Sequence, residues 1–200
     1  MLTVNMTTEN SAYITEAEYL EGEKIAEERH EYVDGVLYAM AGASLRHNRI
    51  ALNIVRALPL QREDGTPCDA YTSDVKVRAR RHKAFYYPDV VLSCEPNNMD
   101  DCYVEKPCLL VEVTSKSTDW KDRSEKLLAY QALESLQAYL IIVQDKPHVT
   151  FYYREVDGAW WVSAYDALDQ VIMLPCLGTP LSLADIYKGI DFTQAAETEA

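Results

Sequence analysis

The sequence predicts an α/β domain, α+β on a stricter view, built on a mixed β-sheet with helices against it. Three observations carry this. An apolar strand at 107–114, a helical stretch at 117–133 and a continuous apolar strand at 137–144 follow one another, the order of a βαβ crossover in a mixed sheet. Strand-like runs meet at Asp34-Gly35 and at Asp157-Gly158, the turn dipeptides of antiparallel hairpins. Residues 44–61 repeat apolar side chains near helical spacing, so a helix with one core-facing side joins the sheet.

Taken in order, Thr15 to Glu18 form a capping box that opens a short helix carrying Tyr19, Leu20 and Ile25. Residues 31–40 make the first hairpin, and Ser44 caps the longer helix, whose core face holds Leu45, Ile50, Ile54 and Leu58. Residues 63–70 break the pattern, and strands at 69–72, 74–80, 85–93 and 107–114 follow, with a loop at 95–101. The helix at 117–133 starts at Thr118 or Asp119, and Leu127 and Leu128 mark its buried side. The run 137–144 is apolar throughout, as in a strand covered on both faces. Strands at 148–155 and 159–165 form the second hairpin, and 180–189 is a closing helix capped by Ser182. Residues 13–192 read as one domain, with 1–12 and 193–200 as loose termini.

Two hundred residues suffice for one sizeable core, and a composition 48% hydrophobic and 26% charged is that of a globular protein. No run approaches the roughly 18 apolar residues of a membrane span. The first ten residues lack the basic and apolar regions of a secretory signal. Five cysteines, with no CxxC pair, read as free thiols in a reducing cytoplasm, with Cys94 and Cys108 acting as small hydrophobes. A net charge of −13 disfavours casual binding to polyanions. The charge is uneven, however: 16–35 is acidic, whereas 76–83 holds Lys76, Arg78, Arg80, Arg81 and Lys83. On a strand Lys76, Arg78 and Arg80 share a face, which is either a charge-protected edge or a phosphate-contacting surface.

The chemistry centres on two acids in apolar strands. Glu112 sits within LLVEV (109–113), where an unpaired carboxylate costs on the order of several kcal/mol. Asp89 poses the same problem after Pro88, which marks an edge or a bulge. Two carboxylates brought together repel unless a cation lies between them, and Mg²⁺ suits oxygen ligands and keeps water for chemistry. The helix at 117–133 places Asp122, Arg123, Lys126 and Tyr130 on one face. Lys126 then either points back at the acids, to orient water and steady phosphoryl charge, or forms a surface ion pair with Asp122 worth about 0.3–0.5 kcal/mol.

The segments PDVV (88–91), LLVEVTSKST (109–118), DRSEKLLAYQ (122–131) and YLIIVQDKPHV (139–149), in this order and spacing, resemble the Uma-type "putative restriction endonuclease" family, a bacterial branch of the PD-(D/E)XK nuclease superfamily. The stretch 30–54 is similar to that family's other signature, an acid before an Asp-Gly turn and then a helix led by histidine. Together these cover most of residues 13–188. The resemblance implies a restriction-endonuclease-like mixed β-sheet flanked by helices, with Asp89, Glu112 and the Val113 carbonyl holding Mg²⁺ (Mn²⁺ being an alternative). Superfamily members commonly carry a lysine two residues after the Glu, where this chain has Thr114; in the branch the lysine comes from the following helix, matching Lys126. Lys116, where the branch usually has proline, is the rival. Glu31 matches an outer metal ligand, or is an exposed acid in an acidic stretch. His47 matches a helix histidine that reaches a phosphate or a water, or is a surface residue without a role. Asp74 and Lys76 match a pattern at the rim of the site, and Asp74 equally suits a strand-end turn. Trp120, Tyr130, Tyr152 and Tyr153 read as core or interface rather than base-stacking groups.

The resulting expectation is a cytoplasmic, Mg²⁺-dependent endonuclease acting on DNA rather than RNA. A homodimer is compatible with this, because cutting two strands favours two-fold symmetry, though no residue in the sequence marks one. Two rivals remain: a catalytically inactive nuclease-fold protein that binds or scaffolds, and a metal-dependent phosphohydrolase of small phosphate esters. The basic run 76–83 must flank the acids for the nuclease reading to hold.

Overall fold

The computed structural model describes residues 13–97, 101–114 and 122–193. It is a mixed α+β fold. Thr15 caps α1 (Glu16–Glu23) with the reciprocal Thr15–Glu18 bonds of a capping box. Tyr19 is buried, whereas Ile25 lies past the helix end and is exposed. β1 (His30–Val33) and β2 (Val36–Ala39) pair across Asp34 and Gly35, both at positive φ as a tight hairpin turn requires. Ser44 caps α2 (Leu45–Ala57), which buries Ile50 and Ile54, with Leu58 just beyond. Leu45 was expected on that face but is exposed; five residues before Ile50, it lies about 140° around the helix.

β3 (Asp69–Thr72) and β4 (Lys76–Ala79) follow. The single strand expected over 85–93 is two strands, β5 (Ala84–Tyr86) and β6 (Val90–Ser93), and they lie in different sheets. Pro88 lies in the gap, where its missing N–H costs no ladder bond. β7 (Tyr103–Val104) precedes β8 (Leu109–Thr114). A π-helical turn, Asp122–Lys126, runs into α3 (Leu127–Gln131) and leads to β9 (Ala138–Val143). The buried stripe here is Lys126, Ala129 and Tyr130, so Leu128 faces solvent and Leu127 is half-buried, contrary to expectation. β10 (Val149–Arg154) and β11 (Trp160–Tyr165) form the second hairpin. The closing helix is shorter than expected: Thr179–Ser182 is β13, paired with β12 (Val171–Leu174), and only Leu183–Ile186 is helical, as α4.

The larger sheet has the order β11-β10-β9-β8-β6-β3, and β8–β9 is the parallel pair made by the expected crossover. The second sheet has the order β2-β1-β5-β4-β7. Alternation along β8 and β9 divides the core. Leu109, Val111, Val113, Leu140 and Ile142 cluster with Ile50, Ile54, Ile172, Leu181 and Ile186. Leu110, Tyr139 and Ile141 cluster instead with Val77, Tyr86, Ala129 and Tyr130. By the same alternation Glu112 falls on the Leu110 side, toward α3.

The cysteines correct a further expectation. Asp69 pairs with Ser93, so Cys68 and Cys94 stand opposite one another one step further on, and they form a disulfide. Cys94 is therefore not a free thiol, and the argument from free thiols to a reducing cytoplasm falls with it. No helix among the described residues is long and apolar enough to cross a membrane.

Candidate active site

Val90 pairs with Val111, so Asp89 stands opposite Glu112 just beyond the last paired residues of β6 and β8. With the ladder interrupted at Pro88, the Asp89 side chain takes over a backbone bond. Its Oδ2 accepts the Val113 N–H at 2.7 Å. Its Oδ1 lies 2.7 Å from His47 Nε2, which the third residue of α2 supplies. The two acids expected to neighbour one another thus do so across adjacent strands.

Glu31 comes from β1, in the other sheet, and accepts a long bond of 3.5 Å from the Tyr87 N–H. Lys126 joins the two glutamates: its Nζ is 2.8 Å from Glu31 Oε1 and 3.0 Å from Glu112 Oε1. Tyr130, one turn along, donates its hydroxyl to Glu112 Oε1 at 3.0 Å. The Lys126 ammonium also lies 5.7 Å from the centre of the Tyr86 ring, a cation–π distance. Glu31, Glu112 and Lys126 are each about 5% exposed, so neither the exposed Glu31 nor the surface Lys126 ion pair describes them. Burial, and then the Glu112 carboxylate, hold the Tyr130 hydroxyl far above the ordinary tyrosine range and keep it a donor. A buried ionic group of this kind adds little net stability over apolar packing of equal volume, so stability alone does not account for it.

A second buried network adjoins the first and had no signal in the sequence. Glu23 of α1 accepts the Tyr87 hydroxyl at 2.9 Å and the His30 N–H at 2.8 Å. Lys76 donates to the Tyr87 hydroxyl at 3.2 Å and is buried. It therefore points inward, while Arg80 begins a 3-10 turn after β4 and is exposed, so the three basic residues do not share one face. Arg78 pairs with Glu16 at 2.5 Å and Glu105 at 3.2 Å; Arg80 also takes Glu105, and Arg81 takes Glu134. With Leu133, these arginines line a cleft of about 300 Å³ beside the helical segment that carries Lys126. Asp74 is exposed and pairs with Arg29 at 3.5 Å. Lys116, the rival lysine, and Trp120 lie outside the described residues.

No three ligating side chains among the described residues converge into a metal site as they stand. The donor chemistry nevertheless fits a hard divalent cation. Glu31 and Glu112 share one lysine, Asp89 stands opposite Glu112 in the register of the strands, and carboxylate oxygens are the ligands such ions take. An entering ion would compete with the Lys126 and His47 contacts for those oxygens.

An acid at a strand start, a second acid inside the neighbouring strand and a lysine from the helical segment of the crossover sit on this mixed α+β fold. A crystal structure of a "putative nuclease belonging to DUF820" from Anabaena variabilis superposes with a TM-score of 0.65 over 81% of this chain and 91% of that one, at 16% identity. The chain belongs to the Uma2 family, described as "Putative restriction endonuclease", which matches residues 16–184. Two Synechocystis proteins, both uncharacterized, are similar along most of their length. The protein slr1290 is 34% identical over 176 residues, 88% of this chain and 92% of its own. The protein sll1609 is 34% identical over 158 residues, 78% and 89% respectively.

Proposed function

We propose that the chain is an endonuclease that hydrolyses phosphodiester bonds in DNA, dependent on Mg²⁺ or, in its place, Mn²⁺. The observation that carries this reading is the position of Lys126, whose ammonium lies between the carboxylates of Glu31 and Glu112. Asp89, Glu112 and the Val113 carbonyl would hold the ion, helped by Glu31. When bound, it supplies Lewis acidity toward the phosphate and a more acidic water. Lys126 orients that water and offsets charge developing on the phosphoryl oxygens. His47, bonded to Asp89 Oδ1, fixes the direction of the Asp89 carboxylate and would meet the same phosphate. Arg78 and Arg80 contribute to the nucleic-acid surface in this proposal, Lys76 being buried against Tyr87, and a homodimer would serve two strands. Placement in the cytoplasm follows from this reading alone.

A second reading, a nuclease fold that binds or scaffolds without cutting, is favoured by one observation: Arg78, Arg80 and Arg81 are each paired with a glutamate. Thermal unfolding with and without Mg²⁺ or Mn²⁺, alongside plasmid cleavage, separates the two. The nuclease reading requires a rise in melting temperature, about 2.7 kcal/mol of added stability at a hundredfold excess over Kd, lost in Glu112→Gln. A melting temperature indifferent to both ions, with intact plasmid, would favour the scaffold.

A further inference from the structure

Four of the five cysteines meet in the core cluster beneath α2, remote in sequence yet adjacent in space. Cys68 and Cys94 form the disulfide between β3 and β6. The Cys108 Sγ, on the residue before β8, lies 3.6 Å from the Cys94 Sγ, which is van der Waals contact between sulfurs. Cys176, in the turn between β12 and β13, lies beside Cys108 in the same buried cluster. Cys108 and Cys176 are free thiols, and all four residues are less than a tenth exposed. A disulfide with a thiol against one sulfur and a second thiol behind the first is the arrangement that thiol–disulfide exchange requires.

We propose that these four cysteines form an exchange relay, in which the cross-link passes from Cys68–Cys94 through Cys108 to Cys176 and releases the edge strand β3. In the first step the Cys108 thiolate attacks Cys94 Sγ. The Cys94–Cys108 bond forms, the Cys68–Cys94 bond breaks, and Cys68 leaves as a thiolate that takes the proton given up by Cys108. In the second step the Cys176 thiolate attacks Cys108 Sγ, and Cys94 leaves and takes the Cys176 proton. One disulfide is present throughout, so no outside oxidant or reductant is consumed. Contact with the Cys94 sulfur makes Cys108 the first nucleophile, and the neighbouring Cys176 and the Arg62 charge hold its thiol below the ordinary range. The consequence reaches the acids. β3 is the outer strand of its sheet, and the Ser73 N–H just beyond it donates to the Asp89 carbonyl at 3.4 Å. Shifting the cross-link therefore loosens the backbone beside Asp89.

The test is disulfide mapping of the whole folded chain, held at mildly alkaline pH in glutathione buffer, quenched with acid, alkylated and digested. The relay requires Cys94–Cys108 or Cys108–Cys176 peptides beside Cys68–Cys94. Cys176→Ser should end the relay at Cys94–Cys108, and Cys108→Ser should leave Cys68–Cys94 alone. Wild-type protein that yields only Cys68–Cys94, with Cys108 and Cys176 fully alkylated, would overturn the proposal. So would cross-links through the exposed Cys102 at equal abundance, because these mark random scrambling rather than a directed path.

Discussion

His47 Nε2 lies 2.7 Å from Asp89 Oδ1, which ties a helix on one face of the six-stranded sheet to the point where the chain leaves one sheet for the other. The second oxygen of the same carboxylate holds the Val113 N–H. One side chain therefore links α2, β6 and β8, and its charge and its hydrogen bonds can be separated by mutation.

Asp89→Asn keeps an acceptor for Val113 and removes the charge, whereas Asp89→Ala removes both. The alanine variant should lose about 1–3 kcal/mol for the unsatisfied N–H, and the asparagine variant much less. Both should lose Mg²⁺-dependent plasmid cleavage while circular dichroism stays native. Cleavage persisting in a folded Asp89→Asn protein would remove Asp89 from the proposed metal ligands.

Lys126→Met leaves the Glu31 and Glu112 carboxylates buried without their shared ammonium. Breaking a buried charge group from one side costs about 3–5 kcal/mol, so the melting temperature at neutral pH should fall steeply. A divalent ion replaces the lost positive charge, and Mg²⁺ should therefore restore more stability to the variant than to the wild type. A calorimetric series in which Mg²⁺ helps both proteins equally would contradict the idea that lysine and metal compete for the same oxygens.

The parts of this arrangement that were legible in the sequence share a cause. Asp89 and Glu112 are expensive in apolar strands, so their mere presence there was informative, and the crossover order fixed β8 beside β9. From spacing alone Lys126 was one of several residues on a helix face, since spacing does not say what a helix packs against; the family resemblance singled it out, with Lys116 as its rival. The Cys68–Cys94 pairing was hidden because it depends on β3 lying next to β6, a register with no local signal. The inward turn of Lys76 was hidden for a related reason: a buried lysine needs a partner, and Tyr87 and Glu23 come from elements far away in sequence.

The arginines around the cleft offer a test of nucleic-acid binding. Glu105 accepts from both Arg78 and Arg80, so Glu105→Gln releases Arg80 and leaves Arg78 with Glu16 as its one acidic partner. Exposed ion pairs contribute about 0–1 kcal/mol, and the variant should remain folded. If the cleft contacts phosphates, DNA affinity at low salt should rise, and the slope of log K against log salt should steepen by about one per phosphate gained. Unchanged affinity and slope in a filter-binding or anisotropy titration would place the DNA path elsewhere.

Buried tyrosines set the alkaline limit. Burial raises the hydroxyl pKa of Tyr19, Tyr86, Tyr87 and Tyr130, with nearby carboxylates adding to the effect. A group whose folded pKa lies above its unfolded value contributes stability that is complete below the unfolded value, about 10 for tyrosine, and lost as pH rises beyond it. Stability should accordingly fall above about pH 10, with tyrosinate absorbance from these residues appearing together with unfolding rather than before it. Tyr130→Phe isolates one contributor. At neutral pH it should cost about 1.5–3 kcal/mol, the value of a hydrogen bond to a charged group, because Glu112 loses a donor. The gap between wild type and variant should then narrow as pH climbs, since only the wild type has the Tyr130 contribution to lose. Urea titrations at a series of pH values measure that gap directly, and a difference that stays constant from neutral to strongly alkaline pH would mean that Tyr130 ionises in the folded protein as readily as in the unfolded chain.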